Sequence, residues 1–141
     1  MMTTPNRTKA LNAYQRDAIL SAPPARLLTM LFDRLLLDLA RAETAQNAED
    51  WETASENLLH AQDIISELSG SLKPELWDGA DQLLGVYNYA GSTLLQANIQ
   101  RDRLLTQECI ALLEPLRLAW HEAAALPTGA IPAAQGGGYS S

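Results

Sequence analysis

The chain has 141 residues, enough for one domain with a buried core. Its net charge of -7 argues against nucleic-acid binding, because an acidic surface repels phosphate. Hydrophobic residues make up 47%, yet no apolar run reaches the length of a membrane span. The single cysteine, Cys109, excludes an internal disulfide and a thiolate-rich metal site. The N-terminus lacks the basic-then-apolar layout of a signal peptide, so the cytoplasm is the expected location.

Leu11 to Leu20 reads as a short amphipathic piece with Leu11, Tyr14 and Ala18 on one face, too short to be stable alone in water. Pro23-Pro24 interrupts it, since proline lacks an N–H and its ring restricts the preceding residue. Four longer segments then carry the 3-4 apolar spacing of helices. The first runs through Leu28, Phe32, Leu35, Leu39 and Ala42. The second runs through Trp51, Ala54, Leu58, Ala61, Ile65, Leu68 and Leu72. The third takes Leu76, Ala80, Leu83, Tyr87, Ala90, Leu94 and Ala97. The fourth takes Leu105, Cys109, Leu112, Leu116, Ala119 and Ala123, and its pattern passes through Pro115, which predicts a kink there and not an end.

Breaks fall at Gln46-Asn47 before Glu49-Asp50, at Gly70 and Pro74, and at Asn98 to Asp102, where Asp102 is a natural cap. Short connections between helices make neighbours antiparallel. The expected fold is all-α: an antiparallel up-down-up-down four-helix bundle with a short N-terminal helical segment packed on it. Residues 1–10 are expected to be a flexible N-terminus, 11–126 the bundle domain with its cap segment at 11–20, and 127–141 a disordered tail. Gly79, Gly85 and Gly91 should make the third helix the softest.

Catalytic chemistry has little to stand on. A di-metal bundle site needs Glu-x-x-His pairs, and neither His60 nor His121 has a glutamate three residues before it. Glu56 and His60 read as a solvated pair off the apolar seam, and Cys109 reads as a small buried hydrophobe. Ten carboxylates and one base between residues 43 and 81 read as a solvated acidic face, or as one that steers a partner. No enzyme activity, metal or cofactor is expected. His60 as a phosphotransfer histidine and a structural or adaptor bundle that dimerises are the alternatives.

Surplus apolar residues are the more informative feature. Leu31, Leu36, Ile64, Leu84 and Leu113 fit a core wider than one stripe. Met30, Leu59, Tyr89 and Leu95 fit it less well, and a groove that accepts amphipathic helices would use such positions. The opening segment 11–20 would cover part of that surface when no partner is bound.

Five blocks in order carry a family resemblance: "AYQRD" (13–17), "PARLLTMLFD" (24–33), "NLLHAQDIISEL" (57–68), "VYNYAGSTLLQANIQRD" (86–102) and "LRLAW" (116–120). Together they resemble the flagellar secretion chaperone family FliS over roughly residues 10 to 124. The resemblance implies a cytoplasmic chaperone that binds the C-terminal, otherwise disordered part of flagellin. That client would wrap around the bundle and be kept from early assembly. It further implies protein-binding roles for Tyr14 and Gln15, for Leu27, Met30 and Leu31, for Ile64, Ile65 and Leu68, and for Tyr87, Tyr89, Leu95 and Asn98. The flagellar export apparatus is a possible second partner, with the chaperone itself a monomer or weak homodimer. One departure stands out: after Tyr89 the family commonly has bulky and basic residues, whereas this chain has Ala90, Gly91, Ser92 and Thr93.

Overall fold

The computed structural model describes residues 24–72 and 79–126. Four α-helices make up the described chain: α1 (Pro24–Asn47), α2 (Trp51–Gly70), α3 (Ala80–Gln100) and α4 (Arg103–Ala124). The segment 11–20 with Tyr14 and Gln15, the positions Pro74 and Leu76, and the tail 127–141 lie outside the described residues.

Two of the connections are nearly identical. In each, the helix ends with a residue in the left-handed region: Glu49 (φ 56) after α1 and Arg101 (φ 53) after α3. The Asp50 N–H donates back to the Ala45 carbonyl at 2.8 Å, and Asp102 does the same to Ala97 at 3.0 Å. This closure satisfies carbonyls that a helix end leaves orphaned, and it usually employs glycine at the left-handed position. The aspartate then caps the next helix. Asp50 accepts from the Thr53 N–H at 3.2 Å, and Asp102 accepts from the Leu104 N–H at 2.9 Å. Each turn therefore ends one helix and starts the next within four residues, which forces the two helices antiparallel.

Each helix packs on two neighbours. α1 lies beside α2 and α4, and α3 completes the ring between them. The diagonal pair α1 and α3 meet only through the core, where the rings of Phe32 and Tyr87 sit 6.3 Å apart. Phe32, Leu35, Leu39 and Ala42 of α1, Leu58, Ala61, Ile65 and Leu68 of α2, and Tyr87, Ala90, Leu94 and Ala97 of α3 form the centre. These are the residues of the predicted seams. Their removal from water is the main stabilising contribution.

The fourth seam is rotated from its expected position. Thr106, Cys109 and Leu113 are the buried residues of α4, while Leu105, Leu112 and Leu116 are only partly covered and Ala119 is exposed. The expected stripe shares only Cys109 with the buried one; packing against α1 and α3 set the rotation. The helix runs unbroken through Pro115.

Candidate protein-binding surface

Among the described residues, the large side chains on the seams are buried or partly buried, so the apolar residues left outside stand out. On α1, Met30 is 61% exposed and Leu37 is also exposed. α2 contributes Leu59, and α3 contributes Tyr89, Leu95 and Ile99. α4 adds Leu104 and Leu118. Met30, Leu59, Tyr89 and Leu95 are the four that a wider core explains least well. By contrast, Ile64 and Leu113 are buried and Leu31, Leu36 and Leu84 are partly buried. Ile99, Leu104 and Leu118 were missed by the sequence reading, although their positions off the seam stripes carried the same signal.

These side chains do not converge on one groove. The inward faces of α1 and α3 meet at Phe32 and Tyr87, so their outward residues point to opposite sides of the bundle. Met30 and Leu95 sit on α1 and α3, which are not packed neighbours in the ring.

Of the residues assigned protein-binding roles by resemblance, Met30, Tyr89 and Leu95 are exposed, and Leu27, Leu31 and Asn98 are partly exposed. Ile64, Ile65, Leu68 and Tyr87 lie in the core at 5% exposure or less. They present no surface to another chain in this conformation; their role here is to fill the interior. Burial pushes the Tyr87 phenol well above its ordinary value. Tyr89, two residues on, instead donates its hydroxyl to the Glu108 carboxylate of α4, which also pushes its phenol up.

Polar side chains fix α1 between its neighbours. Asp38 is fully buried, accepts from Arg34 Nε at 3.0 Å, and bonds His60 Nδ1 of α2. His60 is thus not half of a solvated pair with Glu56. Its partner is a buried carboxylate from 22 residues away, a pairing that local spacing does not disclose. On the other flank, Asp33 accepts from Arg117 at 3.1 Å and bonds His121 at 2.6 Å, and Arg117 also holds Glu114 at 2.8 Å. Burial would raise the Asp33 carboxyl, but the bonds to His121 and Arg117 outweigh it and hold the group below its usual range. The Arg117 bond likewise lowers Glu114. Gln107 of α4 reaches Glu43 of α1 at 2.6 Å.

Cys109 is fully buried beneath α3, where its thiol donates to the Ala90 carbonyl at 3.6 Å and burial pushes its pKa to about 12. A thiol in that state is a poor nucleophile. Among the described residues, no group of three or more His, Cys, Asp or Glu side chains is placed to hold a metal ion. No described helix is long and apolar enough to cross a membrane.

Known proteins resemble this chain over most of its length. The family model described as "Flagellar protein FliS" matches residues 7–127. The chain is similar to the flagellar secretion chaperone FliS of Bacillus subtilis (strain 168), with 33% identity over 111 residues covering 79% of this chain and 83% of that protein. The protein of the same name from Escherichia coli (strain K12) is 34% identical over 126 residues, covering 85% of this chain and 93% of its own length. That from Salmonella typhimurium (strain LT2) is 34% identical over 108 residues, covering 75% and 80%.

Proposed function

The chain belongs to the FliS family of flagellar proteins, and we propose that it is a cytoplasmic, non-catalytic export chaperone for the C-terminal region of flagellin. The observation that carries the reading is the set of large apolar side chains left outside a bundle whose interior is already full: Met30, Leu59, Tyr89, Leu95 and Ile99. Exposed apolar positions of this kind mark interaction surfaces. Membership of a family of flagellar secretion chaperones supports flagellin as the client.

The physics suits that task. An amphipathic segment meant to pair with other copies in a filament associates too early if its apolar face stays in water. The bundle offers alternative apolar partners on opposite sides, so a client that engages all of them must do so as a long, unfolded chain. Ordering such a chain costs several kcal/mol of the gross interaction energy, which keeps a large interface releasable. No nucleotide is needed for either step.

The test is calorimetry with full-length flagellin and with flagellin lacking its C-terminal segment. The full-length client should bind one-to-one, and the truncated client should not bind. Equal binding of both would overturn the proposed site.

A further inference from the structure

We propose that the end of the bundle formed by the two tight turns contains a site for one peptide group of an extended polypeptide, bound by the side-chain amide of Gln46. The inference rests on the chaperone reading for the source of that polypeptide, the C-terminal region of flagellin.

Gln46 sits in the last turn of α1 and is 3% exposed. Neither its Nε2 nor its Oε1 has a hydrogen-bond partner. A buried amide left unpaired is costly, and such an exception calls for an explanation. The other buried side-chain atom of this kind among the described residues, Thr106 Oγ1, borders neither of the two hollows at this end of the bundle.

Gln46 borders both. One hollow, of about 600 Å³, lies between the two turns and reaches Arg103 and Leu104. The other, of about 420 Å³, runs between the start of α2 and the end of α3 toward Ile99. Trp51 and Arg101 line both as well, so these three residues form the wall between the hollows. The Arg101 guanidinium lies over the Trp51 ring, 5.3 Å from its centre. Arg101 is exposed and occupies the left-handed region without being glycine, so its backbone is strained. For a peptide group to reach the amide a side chain of this wall has to move, and exposed Arg101 is less enclosed than Trp51.

The chemistry of the lining selects the ligand. The Gln46 amide places an N–H donor beside its carbonyl acceptor, the complement of a peptide C=O and N–H. A simple anion is disfavoured, because Glu49, Glu52 and Asp102 line the hollows along with Arg101 and Arg103. Ile99 and Leu104 stand exposed at 66% and 62%, one beside each hollow, where they can take the side chains that flank a bound peptide group. A chain that engages both α1 and α3 must cross from one side of the bundle to the other, and this end provides a crossing.

The deciding experiment uses the full chain and a synthetic peptide covering flagellin's C-terminal segment. In Gln46→Met, the free protein should keep or raise its Tm, since two unpaired polar atoms are removed. Its Kd for the peptide should weaken about tenfold, the loss of two modest hydrogen bonds. In the unsubstituted protein, NMR should show the Gln46 side-chain amide and the Trp51 indole signals shifting when the peptide is added. A lower Tm with unchanged Kd would mean that the amide is satisfied within the fold, and the inference would fall while the chaperone reading stood. Tight binding with both NMR signals unmoved would overturn it in the same way, even if the variant failed to fold. Absence of any binding by the unsubstituted protein would bring down both readings.

Discussion

The inner and outer faces of α3 make the clearest contrast in the molecule. Tyr87 and Tyr89 are two residues apart, the same amino acid on the same helix. Tyr87 is sealed in the core against Phe32, whereas Tyr89 is about half exposed and its hydroxyl bonds Glu108. At a helical repeat of 3.6, two residues are more than half a turn apart, so a two-residue step carries a side chain from packing to surface. The core residue contributes to stability and the surface residue is the one proposed for recognition, and identity of residue type tells nothing about which.

That contrast can be broken by substitution. The largest expected effect is at the core: Tyr87→Ala should cost about 3–5 kcal/mol, read from denaturant unfolding, because it leaves a large cavity beside Phe32. His60→Ala should come next, at about 2 kcal/mol. It strips one partner from the buried Asp38 carboxylate while Arg34 remains. If unfolding showed no loss, Asp38 would be adequately served by Arg34 alone. Gly85→Ala should raise stability by about 1 kcal/mol, since the position lies in mid-helix and open space surrounds an added methyl. A decrease would show that the outer face of α3 is packed against something at that point.

Tyr89→Ala should leave stability nearly unchanged in denaturant unfolding, because its bond to Glu108 is exposed. It should nevertheless weaken flagellin binding in calorimetry. Loss of folding and binding in equal measure would return Tyr89 to the core. The smallest effect is expected at the exposed flank of α1. The Asp33 and Glu114 carboxyls are held below their unfolded values, so the stability that they contribute is present above about pH 4 and is lost as pH falls through their folded values. Asp33→Asn should therefore flatten the decline of Tm with acid below about pH 4, with little change at neutral pH. An unaltered acid slope would show that other carboxylates govern it.

Much of the bundle was legible in the chain. Phe32, Leu35 and Leu39, or Leu58, Ala61, Ile65 and Leu68, recur at one face of a helix, and no other regular structure buries that spacing. Asp102 was recognisable as a cap because its side chain acts on an N–H only two residues away. Outward-pointing Met30 and Leu95 were legible for the same reason as the seams, by being out of phase with them. What failed was whatever depended on distant residues. α4 carries leucines on more than one stripe, so its rotation needed α1 and α3 to be in place. Gln46 read as a polar helix end, and its burial arises where the turn before α2 meets the turn before α4.

Helix count among the described residues, antiparallel order and the breaks at Gln46-Asn47 and Asn98 to Asp102 thus followed from local chemistry: apolar spacing, caps and the short reach of each turn; α3, expected to contain Gly79, begins only at Ala80. The pairing of His60 with Asp38, the choice of stripe on α4 and the enclosure of Gln46 arose from folding in three dimensions. The physical reason is range. Periodicity and capping act within a turn or two of the chain, whereas burial and ion pairing depend on groups that only packing brings together.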